Sequence, residues 1–173
     1  MNDIRIHVRM GGREDLPLLF HICKEQTKEE FCLWGADFFY DYPPRLEQMR
    51  QSFDSRSCTV FYVAEWNERG IGVAEITEIN DKIRSGVLAR IVLEPKYRGK
   101  GVGKQFVRCI LERVPEDLGL QEVSLVVYAC NRPARMCYEA CGFQYEEELI
   151  RPGRPDALQM KISLEEASDE IDP

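Results

Sequence analysis

The sequence predicts a single mixed α/β domain. Three observations carry this expectation. Strand-length apolar runs alternate with windows of helical amphipathic spacing. The 173 residues suffice for one core of ordinary size. No repeat and no linker-like stretch divides them. The domain is expected over residues 1–164, followed by the acidic, apolar-poor tail EEASDEIDP, residues 165–173, for which disorder is expected.

The elements follow in order. Residues 4–10 form a first strand, and Asp15-Leu16-Pro17 opens a helix with Leu16, Leu19, Phe20 and Cys23 at helical spacing. The stretch EFCLWGADFFYDYPP is irregular and aromatic-rich, and its Pro pair starts a second helix carrying Leu46, Met49 and Phe53. CTVFYVAEW and IGVAEITEI, separated by NERG, form an antiparallel hairpin, and the polar loop NDKIRSG leads to the strand VLARIVL. From Val102 a third helix presents Phe106, Val107, Ile110, Leu111 and Val114 on one face and Lys104, Gln105, Arg108, Glu112 and Arg113 on the other. VSLVVYA is continuous enough to be a strand buried on both faces. A fourth helix spans Arg132 to Cys141, with Asn131 as its cap and Gly142 as its stop. FQYEEELI and ALQMKISL flank the turn PGRPD as a closing hairpin.

Composition excludes some functions. A net charge of -7 argues against a general nucleic-acid binder, which needs a basic face, yet it leaves room for one basic pocket. No apolar run approaches the roughly 18 residues that a membrane span requires. The N-terminal MNDIRIHVRM lacks the apolar region of an export signal, so a cytoplasmic location is expected. Seven cysteines, an odd number mostly inside apolar patterns, read as reduced small hydrophobes rather than a disulfide or metal framework.

The stretch PKYRGKGVGK, residues 95–104, carries the chemistry: three glycines and four basic residues between an apolar strand and an amphipathic helix. A Walker loop would need a glycine where Arg98 stands and a hydroxyl where Gln105 stands. A dinucleotide fingerprint begun at Gly99 meets Lys104 where its last glycine belongs. What remains is a strand, a glycine-spaced turn and a helix N-terminus, whose first N–H groups lack internal partners and suit anionic oxygens. Arg98, Lys100 and Lys104 add charge, and no metal is needed to neutralise a pyrophosphate there.

Leu93-Glu94-Pro95 followed by Arg98-Gly99-Lys100-Gly101-Val102-Gly103 resembles the first motif of the GNAT N-acetyltransferases. Asn131, Ala134, Tyr138, Gly142 and Phe143 match that family's second motif, in the right order. The resemblance implies a central, mostly antiparallel mixed sheet of about seven strands flanked by about four helices and splayed between the fourth and fifth strands. It implies acetyl-CoA as cosubstrate, its pantetheine arm along the backbone of Ile91, Val92 and Leu93, and its pyrophosphate on the backbone of Arg98, Gly99, Lys100, Gly101, Val102, Gly103 and Lys104. Asn131 would lie against the cofactor arm, and Tyr138 would be the general acid. The acetyl group would pass directly to a primary amine of a small molecule or peptide.

No motif assigns the general base. Glu75 is the first candidate, because a carboxylate inside an apolar strand needs a task or a partner, and Glu78 is the second; Arg90 could pair with Glu75 instead. The resemblance implies that the acceptor lies against the segment from Phe31 to Tyr42 and the turn from Arg151 to Asp156; in the first, Trp34, Asp37 and Tyr40 are candidate contacts, aromatic faces and negative charge both favouring a cation. Two rivals stay open: a non-catalytic acyl-CoA-sensing module and a nucleotide-binding regulator. A homodimer is also left open.

Overall fold

The computed structural model describes residues 4–57 and 59–164. The acidic tail, and Cys58 at the head of the second predicted strand, lie outside the described residues. The strands are β1 His7–Gly11, β2 Val60–Trp66, β3 Arg69–Asn80, β4 Ser85–Leu93, β5 Glu122–Tyr128, β6 Gln144–Leu149 and β7 Ala157–Ser163. They form one sheet in the order β1-β2-β3-β4-β5-β7-β6. Every neighbouring pair is antiparallel except β4 and β5, which the helix between them joins as a parallel pair.

The α-helices among the described residues are α1 Leu16–Lys24, α2 Lys28–Leu33, α3 Leu46–Ser55, α4 Val102–Leu118 and α5 Arg132–Glu139. One more helix is present than the sequence predicted. α2 lies in the stretch expected to be irregular, and it has a legible start signal: the Thr27 hydroxyl accepts from the Glu30 N–H at 3.2 Å, and the Glu30 carboxylate accepts from the Thr27 N–H at 3.0 Å. That reciprocal cap is encoded by T-x-x-E, which the surrounding aromatic residues obscured.

Both sheet faces are covered, because a strand buried on two sides needs a layer on each. α4 and α5 cover one face, where Phe106, Ile110 and Val114 meet Tyr62, Ile76 and Leu125. The N-terminal helices cover the other, where Leu16, Ile22, Phe31 and Met49 meet Phe61, Val73 and Val92. Each such large side chain contributes about 1.5–3 kcal/mol by leaving water. Strand alternation puts Ala74 and Ile76 with the first core and Val73 with the second, so Glu75, two residues from Val73, faces the N-terminal helices.

Two bulges shape the middle of the sheet. Val73 pairs with Val92 and Glu75 with Ala89, so Arg90 and Ile91 together oppose Ala74. Thr77 pairs with Val87 and Asn80 with Ser85, so Glu78 and Ile79 together oppose Gly86. Arg90 (φ 48°) and Glu78 (φ 52°) both adopt left-handed backbone, which is unusual for residues with a Cβ. β4 and β5 pair only over Ser85–Val87 with Glu122–Ser124, and beyond that they diverge. The expected splay between the fourth and fifth strands is therefore present, and the bulge at Arg90 supplies the local bend.

Candidate active site

The diverging strands open a cleft of about 410 Å³. Its floor is Val87–Ile91 of β4 and Val126–Tyr128 of β5; Thr77 and Glu78 of β3, Asn131, Ala134 and Tyr138 of α5, the Leu33–Phe39 region and Arg151 complete it. β4 keeps β3 on its outer side and β5 keeps β7, so the two edges that face each other across the cleft, β4 beyond Val87 and β5 beyond Ser124, are both left without a strand partner. An extended amide-bearing chain can pair there as an added strand would.

At the far end of β4 the loop 98–101 turns into α4. Gly99 (φ 70°) and Gly101 (φ 80°) hold left-handed backbone, and a Cβ at either position would meet nothing within 4 Å, leaving space on the loop's outer side. The first helical bond is donated by Gln105 to the Gly101 carbonyl at 3.1 Å, so the N–H groups of Val102, Gly103 and Lys104 have no intrahelical acceptor. Lys100 and Lys104 are exposed and form no ion pair with any described residue. Orphan donors, two unpaired cations and open space fit a pyrophosphate.

Arg98 is arranged differently from the other loop residues. Its backbone N–H is already donated to the Pro95 carbonyl at 3.1 Å. Its side chain donates to the Leu93 carbonyl at 2.9 Å and to Glu30 at 3.2 Å. It therefore fastens the loop to the end of β4 and to α2. Of the three β4 residues expected along the cofactor arm, Ile91 lines the cleft, whereas Val92 and Leu93 are buried with their Cα partners, Val73 and Gly72, on the β3 side.

We expect Gly101→Val to cost about 1–2 kcal/mol of stability from the left-handed conformation alone. The same change should remove most of the thermal stabilisation that acetyl-CoA confers on the wild-type chain. Melting curves with and without acetyl-CoA check this; an undiminished shift in the variant would take the loop out of cofactor binding.

α5 sets the other wall. Asn131 caps it, its Oδ1 accepting from the Ala134 N–H at 3.3 Å, while the Asn131 side chain also borders the cleft. Tyr138, two turns on, lies edge-to-face with Phe143, ring centroids 5.9 Å apart. Its hydroxyl makes no hydrogen bond to any described residue. Burial, with the neighbouring Cys137 and Cys141 thiols adding to it, holds the phenol above its ordinary value, so it stays protonated and able to donate. A hydrogen bond to Cys141, together with burial, pushes the Cys137 thiol far up, which disqualifies it as a nucleophile.

The remaining predicted residues divide. Glu75 is 1% exposed and is not in the cleft lining. Arg56, at the C-cap of α3, and Arg90 each donate to its Oε2 at 2.5 Å. Two guanidinium groups thus occupy the carboxylate first proposed as the base, whereas Glu78, on the β3 bulge, is exposed in the cleft and makes no ion pair with a described residue. Tyr40 is core rather than cleft: it is 3% exposed, accepts from Arg56 at 3.3 Å, and burial pushes its phenol up to about 12. Asp37 is paired with Arg154 at 3.2 Å, and that guanidinium lies 4.0 Å over the Phe38 ring. Trp34 does line the cleft, its indole N–H donating to Gln26 at 2.8 Å. Arg90 and Arg151 also line the cleft: Arg151 opens the turn expected to face the acceptor, whereas Arg90 was expected only as a partner of Glu75.

A family model described as the acetyltransferase (GNAT) family matches residues 22–143. Spermidine N(1)-acetyltransferase of Vibrio cholerae is 32% identical over 146 residues, covering 84% of this chain and 83% of that protein. N-alpha-acetyltransferase 30 of Homo sapiens is 24% identical over 160 residues, 91% of this chain and 41% of that one. Among solved structures, that of the Vibrio cholerae spermidine N-acetyltransferase in complex with CoA and spermine shares the fold. Its TM-score is 0.76 over 92% of this chain and 95% of that one, at 23% identity.

Proposed function

The chain belongs to the acetyltransferase (GNAT) family, and we propose that it moves an acetyl group from acetyl-CoA directly to a primary amine held in the β4–β5 cleft, with Tyr138 as general acid and Glu78 as general base. The observation that carries this reading is the convergence on one cleft of an unpaired β4 edge, an unbonded phenol on α5 and an unpaired carboxylate on the β3 bulge. The relatives, named spermidine N(1)-acetyltransferase and N-alpha-acetyltransferase 30, support an amine acceptor.

An alkyl ammonium, with a pKa of about 10.4, must lose a proton before its nitrogen can attack, and Glu78 takes it, directly or through one water. The C–N bond forms as the C–S bond breaks, and the proton of Tyr138 passes to the departing sulfur. The nitrogen sheds its second proton to solvent as the amide forms, Glu78 releases the first, and the phenol regains one from solvent, so one proton is released overall. In binding, Lys100, Lys104 and the first N–H groups of α4 hold the pyrophosphate, the β4 edge near Ile91 orients the pantetheine arm, and Asn131 borders it. A purely sensing module would need the loop but not this second group of residues, and the family match speaks for the enzyme.

Glu78→Gln should lower kcat about 100-fold, the scale of a lost general base, with acetyl-CoA affinity unchanged. Thiol release on an amine panel and cofactor titration measure the two separately. An unaltered kcat would move the base elsewhere.

A further inference from the structure

We propose that the acceptor amine also carries a carboxylate, which Arg90 and Arg151 hold, so that the substrate class is an amino acid rather than a polyamine. This rests on the reading of the cleft as an acetyl-transfer site and goes further by naming what enters it.

The charge of the cleft carries the inference. Its charged lining residues are Glu78, Arg90 and Arg151. Glu75 neutralises only one of the two guanidinium groups it binds, so the Arg56–Glu75–Arg90 cluster keeps one positive charge. Asp37, the nearby acid that could have received a second ammonium, is spent on Arg154. Arg151 is half-buried, and its side chain has no ion pair or hydrogen bond to any described residue. With Glu78 offsetting one guanidinium, the acceptor region is left positive by one charge. A polyamine places at least two ammonium groups in such a space, and the second would meet arginine instead of carboxylate.

Arg90 supplies the independent observation. Its side chain is 8% exposed, and its guanidinium is fixed between Glu75 and the Phe39 ring, whose centroid lies 4.1 Å away. Its Nε–H is buried with no acceptor among the described residues. A buried donor without an acceptor disfavours the empty cleft, and a carboxylate oxygen that reaches it on binding would relieve that. The left-handed backbone at the bulge takes Arg90 out of regular strand alternation, so it both reaches Glu75 and borders the cleft. The unpartnered Oε1 of Glu75 belongs to a residue outside the lining and offers an incoming ammonium nothing there. A fixed guanidinium on β4 and an unpaired one on the β6–β7 turn are the donors that carboxylate recognition uses.

The test is thiol release from acetyl-CoA with the proteinogenic amino acids, their methyl esters and spermidine, each assayed with wild type and Arg151→Gln. The expected result is a kcat/KM at least about 10-fold higher for one or more free amino acids than for the matched esters, and higher than for spermidine. A 10-fold preference corresponds to one hydrogen-bonded charge contact. Arg151→Gln should erase the acid-over-ester preference through KM, with kcat moving little. Esters or spermidine turned over as well as or better than the free acids would overturn the inference while leaving acetyl transfer standing. Calorimetry of amino acids on the CoA-loaded protein separates the other case: Arg151-dependent binding without turnover would keep the inference and refute the transfer reading.

Discussion

Tyr138→Phe is expected to lower kcat by about 100-fold or more while leaving the melting temperature and the acetyl-CoA dissociation constant near wild-type values. The hydroxyl makes no bond to a described residue, so its removal leaves no protein group unsatisfied, and the ring keeps its edge contact with Phe143. A catalytic phenol and a packing phenol therefore predict different things for one substitution. The leaving thiolate has an ordinary pKa of about 8.5, so near neutral pH it departs more easily when a donor protonates it. Because burial raises the phenol above its usual range, the donor remains protonated at every pH below about 10. The kcat profile of the wild type should accordingly show no alkaline loss from Tyr138 in that range. Full activity in the phenylalanine variant would reduce Tyr138 to a packing residue.

Glu75→Ala should be the most destabilising single change in the cleft region. It leaves Arg56 and Arg90, 14% and 8% exposed, buried without their carboxylate. Breaking a buried pair from one side costs about 3–5 kcal/mol. For a chain of this size that is a fall in melting temperature of roughly 6–20 °C. Glu75→Gln should recover part of the loss, since an amide oxygen can still accept one guanidinium N–H. A cycle with Arg90→Met should give a coupling energy of at least about 1 kcal/mol. Calorimetric melting of the four proteins measures it. A stable but inactive Glu75→Gln would instead return the base to Glu75.

The two glutamates explain why part of the candidate site was legible in the chain and part was not. R-x-x-G-x-G and the Asn131 to Phe143 pattern are local: their spacing alone puts N–H groups at a helix start and Tyr138 two turns from its cap. The base depends on which carboxylate faces the cleft. Glu75 and Glu78 are three residues apart, so regular alternation would put them on opposite faces, but nothing in the sequence announced the bulge at Glu78 or the arginine from α3 that claims Glu75. Arg56 and Glu75 are 19 positions apart, and Asp37 and Arg154 are 117 apart. Such pairs exist only once the layers are packed.

The sequence by itself determined the family, the seven strands in order and the loop suited to a pyrophosphate, because period-2 and period-3.6 patterns and glycine spacing act over a few neighbouring residues. The tertiary structure alone decided which acids are already paired and the sign of charge left facing the acceptor. Those depend on electrostatics between side chains remote in the chain, where a buried guanidinium beside a carboxylate overrides what either residue suggests alone.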